Sequence, residues 1–485
     1  MVADGVDRVA MSGPRRPAGD VPLSLLAGGG TGWRRRADEA AKTHGRRGRS
    51  GVEPGELPVL RDGAIPRELP ARIALVAAAA VVAAVGWRVP SSGVVPAAVT
   101  FWASWSLCLA VLVRGHPQGI YRPAATYLVL FGLFHGGLLL SVAVRGDSVS
   151  EDARWLEDAH TPQAVSLAVL GMVGYTVAAG LAGRGAPPAA ASRGGAVTGP
   201  LGLAVQLAGT GIFAVALVRA GGIDLLWGGY NAYVEANGTD TLLAFGTLCS
   251  GTGALLAVSA GGRARVAGWA GFVLYAVIAL PLGTRGEVLF PLMAMAVIEA
   301  RRHRIRPLWT ALAAAGVLLL ADVVRQTRIG GVLSPSWWLT APLDAIAEMG
   351  FSLRPVVVVL GWDEPVRAGA TFVAVPVRFL ESFLGWHGGS PTYDDRLFNV
   401  EIANRAGQIG GSPVAEAFHN FGTLGVVLFM AALGVLLARL EKRSDAVIGV
   451  VLLPLMIQVR NSFAPVPVQI GIGLLLVALT RVRLR

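Results

Sequence analysis

Four arginines stand where a long apolar chain has little ordinary use for them. Arg285 falls in "LPLGTRGEVLFP", a short break between two apolar runs, and Arg325 and Arg328 close another run in "VVRQTRIGG". Arg460 closes a third in "QVRNSFAP". A guanidinium stays charged and grips phosphate oxygens two at a time, so four of them at run ends point to an anion site, a diphosphate above all. Each alone reads equally well as a side chain reaching lipid phosphates or closing an ion pair, Arg285 with Glu287 for instance. Acid–base chemistry needs a carboxylate or imidazole near the same place. Glu416 and His419, one helical turn apart in "GGSPVAEAFHNFGTLG", and Glu348 in "LDAIAEMGF" are the candidates, with Glu416 preferred as general base. Glu416 also reads as a carboxylate favouring a helix N-terminus behind a Ser412 cap, and Glu348 as a surface charge paired with Arg354.

The elements that position these groups follow from composition. The chain of 485 residues is 53% hydrophobic and only 15% charged, with mean hydropathy +0.57, which excludes an ordinary soluble domain. Apolar runs of about 17–25 residues, enough to cross a hydrocarbon core, recur between short breaks rich in Arg, Gly and Pro. They lie near residues 71–87, 95–113, 123–144, 162–182, 199–220, 241–261, 266–283, 287–300, 307–324, 413–438, 445–459 and 465–481. The expected fold is therefore all-α: a polytopic bundle of about 12 transmembrane helices, its abundant glycine suiting close helix packing. Residues 1–70 read as a disordered basic cytoplasmic tail without a signal peptide, 71–324 as spans 1–9, 325–412 as one large external loop or cap, partly helical and partly irregular, and 413–485 as spans 10–12. The net charge of +11 belongs mostly to breaks at membrane ends, so no nucleic-acid partner is expected. Cys108 and Cys249 lie inside apolar runs without spaced partners, which suggests neither a disulfide nor a zinc site.

Short arginine-bearing breaks such as "RGHPQGIYR", "RRHRIR" and "RLEKRSD" alternate with acidic or nearly neutral ones such as "RGDSVSEDARWLEDAH". Positive residues are retained on the cytoplasmic side, so both termini are expected inside, and Arg285, Arg325, Arg328 and Arg460 outside against that rule. The long loop after span 9 carries Trp337, Trp338, Trp362, Trp386 and Tyr393 among carboxylates and glycines. Aromatic faces beside hydrogen-bonding groups suit pyranose rings, which makes Trp386, Tyr393 and Trp338 candidate sugar contacts. Such residues also gather at membrane interfaces for their own sake, and "VAVPVRFLESFLGW" reads as an amphipathic interfacial helix. Asp394 and Asp395 before Arg396 read either as a metal-binding pair or as a loop ion pair.

The "GTRGE" hairpin, the arginine-rich helix end opening the loop, "LDAIAEMGFSLRPVVVVL" early in it and "GGSPVAEAFHNFGTLGVVLFMAALG" closing it together resemble bacterial oligosaccharide repeat-unit polymerases, the O-antigen polymerase or Wzy-type family. The resemblance covers roughly residues 200–470 and is most specific from Glu416 to Gly422. It implies a membrane glycosyltransferase of the cytoplasmic (plasma) membrane, active at the outer face on polyprenyl-diphosphate-linked oligosaccharides. Membrane lipid is an implied partner, and a chain-length regulator protein a further one. An acceptor hydroxyl attacks the anomeric carbon, the lipid diphosphate leaves, and the four arginines stabilise its charge. Metal-dependent polyprenyl glycosyltransferases place acids in the first external loop. Here that loop, "RVPSSGVVP", has none, so no metal and no cofactor are expected. An O-antigen ligase stays open as a sibling activity. A 12-span transporter calls for two similar halves and a central cytoplasmic loop, and a flippase for cations deep in a cavity; neither pattern is visible.

Overall fold

A computed structural model describes residues 77, 80–81, 93–114, 116–146, 151–183, 197–222, 241–282, 285–328, 337–364, 366–386 and 394–481. The chain divides into two units, Met1–Ile65 and Pro66–Arg485, and every described residue belongs to the second. The expected tail and nearly all of the first expected span lie outside the described residues.

Among the described residues every regular element is helical. The α-helices are α1 (Val94–Val113), α2 (Pro123–Arg145), α3 (Thr161–Ala182), α4 (Thr198–Arg219), α5 (Thr241–Ala260), α6 (Gly262–Ala279), α7 (Arg285–Ala300), α8 (Pro307–Arg328), α9 (Trp337–Met349), α10 (Arg354–Leu360), α11 (Ala370–Phe383), α12 (Phe398–Ala406), α13 (Pro413–Leu440), α14 (Asp445–Gln458) and α15 (Val466–Leu479). Seven are long and apolar enough to cross a membrane: α1 to α6 and α13. The apolar stretch of α8, with α14 and α15, is shorter. α7 has 16 residues, a rise of about 24 Å, and carries Glu287 in its first turn and Pro291 inside. Large apolar side chains stand open on these helices, among them Val218 (72% exposed), Val277 (65%) and Leu475 (60%). Only hydrocarbon covers so much apolar surface without penalty, and the chain is a multi-pass membrane protein.

Two element boundaries differ from the pattern reading. The break "GRAR" is not a loop: Gly261 and Gly262 both adopt positive φ and make the turn by themselves, so Arg263 and Arg265 already lie in α6. α8 likewise continues through Arg328, because arginine is a good helix former and no Gly or Pro stops the helix earlier. The segment expected as a partly helical cap contributes four α-helices among the described residues, α9 to α12.

Close packing uses small residues, most clearly between α4 and α5. Gly202 and Gly209 on one helix face Gly246 and Gly253 on the other, and a methyl group at any of them would collide with opposing backbone. Thr210 and Ser250 hydrogen bond across the seam at 3.0 Å. At one end of the bundle, charged groups clasp five helices. Asp445, fully buried at the start of α14, takes Arg301 at 2.8 Å and Arg302 at 2.9 Å from the end of α7. Glu441 after α13 takes Arg122, the residue before α2, at 2.6 Å. Arg301 and Arg302 also donate to the carbonyls of Glu441 and of Val258 in α5. The starts of α7 and α13 and the end of α14 therefore lie at the opposite end, where the cap helices sit.

Candidate active site

The site is built on the first turns of α13. Ser412 has extended backbone, Pro413 pre-sets the first turn, and the Ser412 Oγ accepts the N–H groups of Val414 at 3.2 Å and Ala415 at 3.5 Å. His135, buried in α2 and stacked on Phe131, meets the same Oγ through Nε2 at 2.9 Å. This cap fixes Glu416, which is 1% exposed with both oxygens engaged. The Thr371 hydroxyl donates to Oε1 at 3.1 Å and the Phe463 N–H to Oε2 at 2.6 Å. Asn420, one turn on, donates from Nδ2 to the Thr371 Oγ1 at 2.7 Å and to the Glu416 carbonyl at 2.8 Å, and accepts the Thr371 N–H at 3.2 Å. Residues 367–371 are thus stitched to α13, with a further bond from the Arg367 N–H to the His419 carbonyl at 3.0 Å. The tight turn into α11 places Ala368 at φ 48°, an uncommon conformation for a residue other than glycine.

Around His419 lies a charged network. Its Nε2 is 3.1 Å from Glu401, which also pairs with Arg367 at 2.7 Å and Arg405 at 2.8 Å. Arg405 reaches Glu364 at 2.8 Å and lies 4.5 Å over the Trp362 ring, whose edge in turn meets His419. The Arg405 hydrogen bond holds the Glu364 carboxyl below its ordinary range, and that pairing raises the guanidinium. Farther out, Arg396 clamps Asp394 at 2.8 Å and Glu381 at 2.7 Å, depressing both carboxyls by hydrogen bonding. Asp395 accepts from Asn404, so the two adjacent acids face different partners.

Two clefts adjoin this core. One, of about 690 Å³, is walled by Arg367, Arg396, Arg405, Asp395, Glu401 and Asn404 together with Thr371. The other, of about 780 Å³, is walled by Phe372, Phe421, Leu424, Leu428, Phe429 and Phe463, with Asn420 its one strongly polar side chain. Thr371 borders the first and Asn420 the second, and these two residues are hydrogen bonded to each other. Gly422, at φ 65° and ψ −159°, interrupts α13 here and leaves Phe421 and Leu424 on the same cleft.

Residues 270–484 match the family model described as O-antigen polysaccharide polymerase Wzy. Over this part the chain resembles the Wzy-type family. It begins within α6 and contains both clefts and every site residue named above except His135 and its neighbour Phe131. No curated protein and no solved structure matches the chain.

Within the Wzy-type part the expected residues are placed unevenly. Glu416 and His419 lie together on the first turns of α13, whereas Glu348 is exposed on α9. Arg460 accepts the Gly411 N–H on its carbonyl at 3.0 Å, its guanidinium lies 6.0 Å from the Phe134 ring, and a methyl group on Gly286 would sit 3.3 Å from its Nη1. That brings Arg460 to the first turn of α7, which Arg285 begins, and to within three residues of Phe463. The side chains of Arg285, Arg325 and Arg328 lie outside the described residues, as does Tyr393. Trp338 is 56% and Trp386 76% exposed; Trp362 is the tryptophan that joins the charged network. Sequence reasoning missed Thr371, Glu401, Arg367, Arg405 and His135. The spacings Glu401–Arg405 and Glu364–Arg367 were available as paired charges, but nothing around Thr371 marks it.

Proposed function

We propose that this chain is a repeat-unit polymerase that joins polyprenyl-diphosphate-linked oligosaccharides at the outer face of the cytoplasmic membrane. The match of residues 270–484 to a family of O-antigen polysaccharide polymerases supports the polymerase reading. The observation that carries the chemistry is a buried carboxylate, Glu416, behind a Thr371–Asn420 wall between an arginine-lined cleft and a phenylalanine-lined one. A lipid-linked glycan has those two halves. Its hydroxyls and charges suit Arg367, Arg396 and Arg405, with Trp362 and Trp386 offering faces for sugar rings; its isoprenoid suits the apolar cleft beside α13. The acceptor hydroxyl loses its proton toward Glu416, its oxygen bonds to the anomeric carbon, and the carbon–oxygen bond to the diphosphate breaks with its electron pair leaving on the lipid.

Arg460, with Arg285, Arg325 and Arg328, stabilises the departing diphosphate. Preorganised cations aimed at developing charge contribute about 3 kcal/mol each. The transfer is metal-independent, and a chain-length regulator is the partner expected to set product size. Purified chain supplied with a polyprenyl-diphosphate-linked repeat should give a ladder of repeat lengths on a gel, and none when Arg460→Ala replaces it. A single transfer onto another acceptor identifies a ligase instead, and no glycan product overturns the reading.

A further inference from the structure

Glu416 cannot itself touch a sugar. Its side chain is 1% exposed and lines neither cleft, Oε2 accepts the Phe463 N–H, and Oε1 accepts the Thr371 hydroxyl. Thr371, itself only 3% exposed, lines the polar cleft. A hydroxyl has one proton to give and two lone pairs to receive with. With Glu416 ionised, the Thr371 proton points to Oε1, and one lone pair accepts from Asn420 Nδ2 at 2.7 Å. The Asn420 amide is oriented without ambiguity in this arrangement, because its oxygen accepts the Thr371 N–H while its nitrogen also bonds the Glu416 carbonyl. The second lone pair of Thr371 has no hydrogen-bond partner among the described residues. Among the described residues Thr371 is the one that both lines the polar cleft and hydrogen bonds the Glu416 carboxylate.

We propose that Thr371 is a catalytic residue that relays the acceptor proton to Glu416, a step that rests on the polymerase reading above. The acceptor hydroxyl donates into the vacant lone pair of Thr371 Oγ1. As the acceptor oxygen bonds to the anomeric carbon, its proton passes to Oγ1 and the original Thr371 proton passes to Glu416 Oε1. The electron pair of the breaking anomeric carbon–oxygen bond leaves with the lipid diphosphate. After product departs, the proton returns from Glu416 through Oγ1 to solvent in the polar cleft, restoring the starting state. Asn420 is a positioning residue: its two contacts to Thr371 hold the hydroxyl rotor toward Glu416. Among the described residues Thr371 supplies the one side-chain hydroxyl bonded to the Glu416 carboxylate.

The test uses the full chain in lipid vesicles, with a polyprenyl-diphosphate-linked oligosaccharide as substrate and kcat and KM measured separately. Thr371→Val keeps the shape and removes the hydroxyl; kcat should fall about 100-fold or more with KM within about threefold, the size of a lost acid–base contribution. Thr371→Ser should restore kcat to within about tenfold of native, which a packing role for the methyl group would not allow. Glu416→Gln should match Thr371→Val, and the double variant should lose no more than either alone. If Thr371→Val does not fold, Thr371→Ala takes its place with the same expectation. A native ladder together with full-rate Thr371→Val, or with Thr371→Ser as inactive as Thr371→Val, overturns the relay alone. A native chain that forms no ladder overturns the polymerase reading and the relay with it.

Discussion

Glu416 holds its carboxyl where neither cleft touches it, and the cost of that burial is offset only because each oxygen has a directed donor. Asn420 donates to the Thr371 hydroxyl and the Glu416 main-chain carbonyl, not to the carboxylate, so Asn420→Ala should act indirectly: the Thr371 rotor is freed, and kcat should fall while Thr371 and Glu416 remain. Steady-state kinetics on that variant, compared with Asn420→Asp, which keeps one of the contacts, checks this. Arg396 gives a separate, titratable prediction. Hydrogen bonding depresses Glu381 and Asp394 from ordinary values of 4.5 and 3.8, so their contribution is complete above those values and is lost as pH falls below them. Hydrogen exchange over residues 370–386 and 394–406 should be flat from pH 7 to 5 once corrected for intrinsic rates, then show loss of protection below pH 3.8. Arg396→Ala should remove that acid step. At this scale the sequence was half legible. Glu416 and His419 advertise themselves through type and helical spacing, and Ser412 through its place before Pro413. Thr371, Glu401 and Trp362 do not, because what makes them matter is contact with residues 18 to 57 positions away, set by how the cap folds back on α13.

The helices themselves were easier to read, since each apolar run had to satisfy its own backbone and glycine or proline marked most ends. What the pattern concealed was interruption within a run. Gly422 keeps φ 65° and ψ −159° inside an otherwise continuous apolar helix, a region that in practice only glycine occupies. Gly422→Ala should cost about 1–3 kcal/mol, lower the thermal midpoint in detergent, and reduce chain growth by shifting Phe421 and Asn420 relative to Thr371. The α4–α5 seam should be more sensitive still. Gly253→Leu forces a side chain into the Gln206 backbone and should separate the two helices, visible as loss of a crosslink between cysteines placed at Thr210 and Ser250 in a chain freed of Cys108 and Cys249.

For the whole molecule, orientation is the decisive expectation. With the cap at the outer face, a cysteine at Trp386 should react with a membrane-impermeant thiol reagent in intact cells, while one at Arg304 should react only after permeabilisation. The reverse result removes an external active face and any supply of lipid-linked substrate there. Metal independence is equally direct: ladder formation should be unchanged by a chelator that strips divalent cations. The ion-pair clasp at the far end bears on a different question, what happens as the product lengthens. Arg301, Arg302 and Arg122 fasten α2, α5, α7, α13 and α14 to one another through Asp445 and Glu441, charges too buried to trade partners with water cheaply. These helices are therefore free to diverge only at the opposite end, as tongs do about a rivet. On the polymerase reading proposed above, a product that outgrows the clefts leaves from the end where α9 to α12 sit, away from the clasp.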